Sequence, residues 1–310
     1  MIRSFVFGCR ALVYATTLAL PLLMPPAARG CACGCDVFEV GTGSMFPTAA
    51  GDRVGVEYDF QNQSRNWSGS SSSPAANNDD KEIRTGFYTL GLRRMFNRSW
   101  GVLMRIPYWH RRFVTADDGD LASFTHGAAG DIRIQAIYTG FSADMSSGLT
   151  LGLKVPTGDH TFSNFDPDTE IGTGSTDLLA GGHHIGHIAG GSWDWFAGVL
   201  GQVPVFHLSD YRPGAVVDGT LGVSHRGWVM GGFRLSPLGQ VIAAVRGRDA
   251  GSGAVPEDTG FERVVLTPGA DLHWRNLNAM GSIGFPVWQH VHGNQLVAPN
   301  LIKLELGIDL

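Results

Sequence analysis

The chain has 310 residues with 23 basic and 28 acidic side chains, a net charge of -5 and a mean hydropathy of +0.01. No basic stripe of the kind that binds nucleic acid is present, and 43 glycines without a three-residue period exclude collagen while supplying turns. A mean hydropathy near zero also fits strands whose apolar and polar residues alternate and cancel within any window.

Residues 1–30 are predicted to be a cleaved signal peptide. Arg3 and Arg10 supply positive charge, Ala11–Met24 is apolar apart from Thr16 and Thr17, and Ala28-Arg29-Gly30 fits a small-x-small cleavage site. The run is short for a membrane anchor, which needs about 20 residues. Lipoprotein processing at Cys31 is a further reading, against which Arg29 is a poor residue to precede such a cysteine. Residues 31–52 form a Cys-rich segment, read as a lumenal plug or a periplasmic peptide. Thiolates such as Cys31, Cys33 and Cys35 suit copper(I) or zinc, although the spacing is not that of usual zinc sites. In an oxidising compartment an odd number of thiols leaves one for a metal, a lipid or a bond to a periplasmic partner.

From residue 53 to 310 the sequence predicts an all-β, antiparallel transmembrane β-barrel of about twelve strands. The first strand sets the pattern: Val54, Val56, Tyr58 and Phe60 share one face, Arg53, Glu57, Asp59 and Gln61 the other. Next, Leu90 and Leu92 oppose Thr89 and Arg93; Val102, Met104, Ile106 and Tyr108 oppose Arg105; Ile132, Ile134 and Ala136 oppose Asp131, Arg133 and Gln135. Leu149, Leu151 and Leu153 oppose Lys154, and a less regular strand over 175–187 carries Asp177. Val199, Val203 and Val205 oppose Asp194 and Gln202; Val217, Leu221 and Val223 oppose Asp218; Val241, Ala243 and Val245 oppose Arg246. Val264, Leu266 and Leu272 oppose Arg263 and Asp271. After an irregular strand near 279–289, Ile302, Leu304, Leu306, Ile308 and Leu310 oppose Lys303, Glu305 and Asp309. The charges keep to one face, Arg94 excepted. In a barrel the apolar face meets outer-membrane lipid and the polar face lines the lumen.

Short connections, such as Phe96–Ser99 and Arg275–Asn278, alternate with long polar ones over 61–81, 115–130, 158–174 and 248–260. With a periplasmic N-terminus every long loop falls outside the cell, and Gly227–Gly239 reads as a longer periplasmic connection. Trp100, Trp193, Trp195 and Trp274 are expected at one aromatic girdle, and Tyr108, Trp109 and Trp288 at the other. A soluble exported sandwich would alternate too; the long series of strands, export and the terminal strand favour the barrel.

Gly130-Asp131-Ile132-Arg133, Leu153-Lys154-Val155-Pro156-Thr157-Gly158-Asp159, Leu235-Ser236-Pro237-Leu238, Arg246-Gly247-Arg248-Asp249 and the stretch from Pro286 to Leu296 resemble the outer-membrane transporter family named for the meta-pathway of phenol degradation. The resemblance covers roughly residues 50–310. It implies an outer-membrane barrel that moves small compounds, hydrophobic ones among them.

Catalysis is unsupported: there is no G-x-S-x-G elbow, H-E-x-x-H or P-loop. His183 and His187 share a strand face and His184 points away, and four strand residues span about 13 Å, too far for one ion. His290 and His292 lie together beside a long loop. The expected function is passage of a small-molecule solute through a channel inserted by the barrel-assembly machinery, with the charged strand faces lining the lumen. The alternatives are a metal-binding or partner-docking protein acting through the cysteine cluster, and a structural barrel without conduction, whose mixed charges close the lumen.

Overall fold

The computed structural model describes residues 46–117 and 120–310. The predicted signal peptide and Cys31, Cys33 and Cys35 lie outside the described residues, as does the 31–52 segment up to residue 45. The strands in chain order are β1 (Gly51–Gln63), β2 (Arg65–Gly69), β3 (Ser71–Ser72), β4 (Asp80–Met95), β5 (Trp100–Asp117), β6 (Asp120–Ala129), β7 (Ile132–Tyr138) and β8 (Ser147–Val155). They continue with β9 (Ser175–His187), β10 (Trp193–His207), β11 (Val216–His225), β12 (Trp228–Met230), β13 (Phe233–Arg246), β14 (Phe261–Trp274), β15 (Leu277–Val297) and β16 (Leu301–Asp309).

Twelve of these form the wall in the order β1, β4, β5, β7, β8, β9, β10, β11, β13, β14, β15, β16, and β16 pairs back onto β1 from Arg53↔Asp309 to Gln61↔Leu301. Every pairing is antiparallel, and closure leaves no free edge among the twelve. The twelve predicted segments are these twelve strands. Outward side chains such as Leu151, Leu221, Val203 and Leu306 are exposed, while Glu57, Arg105, Lys154 and Lys303 on the opposite face are buried. Apolar-out, polar-in is the reverse of a soluble sandwich.

Several connections differ from expectation. The predicted loop over 115–130 is in large part strand: β5 runs on to Asp117 and returns as β6, paired from Tyr108↔Ala129 to Asp117↔Asp120. Its residues carry too few apolar side chains for a period-2 signal, and cross-strand backbone bonding holds it instead. Within the predicted loop over 61–81, β1 extends to Gln63 and β2 adds to the far end of β15. Gly227–Gly239 is no loose connection. β12 pairs with β13 through Trp228↔Leu235 and Met230↔Phe233, around a two-residue turn of Gly231 (φ 56°) and Gly232 (φ 88°). Glycine alone adopts two successive positive φ values without cost.

Trp100, Trp193, Trp274, Tyr108 and Trp288 are exposed on the outer surface. Trp109 is not part of that girdle. One residue out of phase with Tyr108, it turns inward and packs edge-on against Phe87 at 4.8 Å. Nor is the inner face wholly polar. Ile242, Phe261, Val265, Val291 and Leu301 form a buried apolar cluster, partly because a bulge in β15 opposite Val264 and Val265 shifts the phase of β15 and brings Val291 inside.

Candidate functional site: the barrel lumen

Charged side chains on the inner face fall into linked groups. Glu57 and Glu305 are directly opposed across β1 and β16. Glu57 accepts from Arg105 Nη2 at 2.9 Å and from Lys303 Nζ at 2.6 Å, and Asp59 lies 3.4 Å from the same Lys303. Arg53 donates to Glu305 at 3.0 Å and to Asp309 at 3.1 Å. Arg105 sits two strands from Glu57, so its long side chain reaches across β4, where Gly91 stands in register with it.

The second group joins β7, β8 and β9. Lys154 is opposite Asp177 in the register and 2.7 Å from it. Ser175 and Gln202 also donate to Asp177, at 2.6 and 2.7 Å. Asp131 lies 3.6 Å from Lys154 and turns its oxygens to a loop: it accepts from the backbone N–H of Gly158 (3.0 Å) and Thr173 (2.9 Å) and from the Thr173 hydroxyl (2.7 Å). One carboxylate thereby ties both ends of the long loop between β8 and β9. Where those ends meet, a Cβ on Gly172 would fall 2.4 Å from the backbone of Gly158, so the crossing requires glycine.

That loop folds into the barrel mouth, where Thr169, Glu170 and Ile171 are buried. Arg111 holds it from the wall through the carbonyls of Thr169 and of Glu170 (3.1 Å), and is itself steadied by donation to Thr85 at 2.9 Å. Phe165 packs against Phe113 at 5.8 Å, and outside the mouth His126 stacks on Phe162 at 4.1 Å while bonding Asp159 at 2.8 Å. The loop between β13 and β14 is also tied inward: Asp249 binds Arg246 (2.8 Å), the Tyr211 hydroxyl (2.7 Å) and the Gly214 N–H (2.7 Å).

Several spaces remain along the axis among the described residues. At the short-turn end a mouth of about 470 Å³ is lined by Asp52, Arg93, Asp194, Arg226, Asp271 and His273 among others. Phe46 reaches in from that mouth and stacks on the inward His183 at 4.5 Å, while Thr48, Ala49 and Ala50 behind it are exposed. A central chamber of about 80 Å³ has an aromatic and apolar side, Phe87, Trp109, Ile171 and Tyr211, and a charged side including Arg105, Arg133, Lys154 and Arg246. Beyond the loop, a third space of about 320 Å³ opens by His160, Ser209, Asp210 and Ser252.

Among the predicted lining residues, Glu57, Asp59, Arg105 and Lys303 are brought together, as are Asp131, Lys154 and Asp177. Arg133, Arg246 and the other members of these two groups are buried, as are Asp218, Arg263 and Glu305, with Asp218 within electrostatic reach of Arg263. Arg93, Asp194 and Asp271 are half-buried at the short-turn mouth. Arg111 and Trp109 share the phase of Arg105 and were findable by extending that strand. Tyr211 and Asp249 come from loops and carry no periodic signal. His183 is inward, while His184 bonds Ser147 outside and His187 bonds Asp194 at the rim. Among the described residues no group of three His, Cys, Asp or Glu side chains is placed to hold a metal.

No family model and no curated protein matches the sequence, so the phenol meta-pathway resemblance is not reproduced at the level of sequence. Among solved structures, an outer-membrane channel from Pseudomonas putida F1 is similar with a TM-score of 0.66 at 14% identity, over 87% of this chain and 100% of that one. The β-domain of the Bordetella autotransporter BrkA is similar with a TM-score of 0.50 at 11% identity, over 84% and 100%. At such identities the likeness is one of fold: the chain is a closed, twelve-stranded antiparallel β-barrel of the outer-membrane type.

Proposed function

We propose that the protein spans an outer membrane and passes small solutes through its lumen, with the in-folded loop between β8 and β9 as the gate. The observation that carries this reading is the division of the lumen. Two mouths of about 470 and 320 Å³ flank a small chamber, and the loop that closes it is attached by side-chain bonds rather than by strand pairing. The aromatic side of the chamber favours apolar or aromatic solutes, and the phenol meta-pathway resemblance implies small compounds, hydrophobic ones among them. The fold shared with the Pseudomonas putida channel supports conduction and outer-membrane location.

A structural barrel is the second reading, favoured by the interlocked Glu57–Lys303–Arg105 group across the lumen. Single-channel recording in planar bilayers decides between them. Discrete current steps are expected; a folded barrel that stays silent across voltage and pH overturns conduction. A metal or partner role for Cys31, Cys33 and Cys35 is a separate proposal, tested by metal content of the mature protein against the triple serine variant.

A further inference from the structure

The outer faces of β1, β4 and β5 are aligned row by row. The register gives Asp52↔Arg94↔Val102, Val54↔Leu92↔Met104, Val56↔Leu90↔Ile106, Tyr58↔Tyr88↔Tyr108, Phe60↔Gly86↔His110 and Asn62↔Arg84↔Arg112. Charged rows bracket the set: Arg94 pairs with Asp52 at 3.5 Å at the short-turn edge, and Arg84 stands opposite Arg112 at the long-loop edge. From Asp52 to Asn62 is ten residues, about 33 Å of strand at ~3.3 Å per residue. At a tilt of ~40° this is about 25 Å along the barrel axis, the height of the apolar band of an outer-membrane barrel. Arg84 and Arg112 therefore stand where acyl chains end and phosphates begin.

Two like charges directly opposed on an exposed face are unfavourable to each other, and the local partners do not neutralise both. Arg112 reaches Glu82 at 2.8 Å and Ser123 at 3.1 Å. Arg84 forms no ion pair among the described residues; its guanidinium lies over the Phe60 ring at 5.3 Å, which fixes its direction. His110 is exposed one row below, beside the tyrosine row.

We infer that the outer face of β4 and β5 at Arg84 and Arg112 binds a phosphorylated lipid of the outer leaflet, its phosphate between the two guanidiniums and its chains against Tyr58, Tyr88 and Tyr108. Guanidinium donors match phosphate oxygens in a bidentate fork, and the tyrosines present flat apolar bodies to chains with hydroxyls at the headgroup. The inference rests on the membrane-spanning part of the proposed function and not on conduction.

The test is retention of bisphosphorylated lipid A by the detergent-solubilised full-length barrel, followed by native mass spectrometry. Arg84→Gln/Arg112→Gln is expected to bind about thirtyfold more weakly, from about fivefold per cation near the surface. The dephosphorylated glycolipid is expected to bind the wild type as weakly, an arm that needs no variant. Equal retention with and without the phosphates, or by wild type and double variant with heat-modifiable migration intact, overturns the inference. Competition by millimolar inorganic phosphate alone marks a free-anion site and overturns it too. Failure of the barrel to enter liposomes would instead overturn the spanning reading, a distinct result.

Discussion

Glu57 and Glu305 face each other directly across β1 and β16, two buried carboxylates at one register position. Like charges so placed repel, and the site is stable because Lys303 and Arg105 close on Glu57 while Arg53 closes on Glu305. The cations are therefore structural parts of this wall, whatever else passes over them.

Lys303→Met leaves Glu57 and Asp59 without their shared cation. Removing one partner of a buried ion group costs about 3 kcal/mol or more, so the midpoint of denaturant unfolding should fall clearly. Lys303→Arg should recover much of it. Unchanged unfolding of the methionine variant would show that water in the lumen already screens the carboxylates.

The gate makes a prediction about conductance. Asp131→Ala removes the acceptor for the Gly158 and Thr173 N–H groups and the Thr173 hydroxyl. Gly172→Ala places a methyl against the Gly158 backbone. Both should raise the open probability in planar bilayers, with Asp131→Asn intermediate. If neither differs from wild type while the unmodified channel conducts, the solute path does not run past this loop.

The same loop predicts a pH dependence. Burial pushes Glu170 up to about 8, Asp159 adding to the effect, and burial holds Asp168 well above its ordinary value, with Asp249, Asp80 and Asp166 adding to it. Both carboxyls hold their protons to higher pH while the loop is folded in than once it is released. The released form binds fewer protons, so the in-folded position weakens as pH rises. The window runs from the ordinary glutamate value of 4.5 up to about 8. Open probability should therefore increase between pH 5 and pH 8, and Asp168→Asn/Glu170→Gln should flatten the profile. A wild-type channel that closes as pH rises contradicts the assignment.

The outer face can be tested without reference to transport. Leu151 is 64% exposed in the middle of β8. In a barrel that spans lipid, Leu151→Arg should cost about 2–4 kcal/mol of folding free energy in bilayers. On a water-facing surface the change would be nearly neutral. Folding titrations in liposomes distinguish the two.

How much could be read from the residues alone follows from what repeats. The twelve wall strands and the inner position of Glu57, Arg105, Lys154 or Lys303 were legible because alternation with period two is local: each residue's face follows from its neighbour's. The same logic extended six residues along β5 from Arg105 yields Arg111. Trp109 turns inward because it shares the phase of Arg105, a placement that its aromatic character alone does not reveal.

What the residues could not supply is everything that depends on distance across the barrel. That Arg105 reaches Glu57 over an intervening strand, that Asp131 ties both ends of a loop, and that Tyr211 meets Asp249 are matters of register and loop path, set by closure of the whole sheet. Residue order alone sets the alternation, hence which side chains point outward and which line the lumen, because strand geometry forces successive residues to opposite sides. Division of the lumen and the inward fold of its loop come from closure of the whole wall, because the N–H groups of a polar loop find the carboxylates that the wall presents and its carbonyls find the guanidiniums.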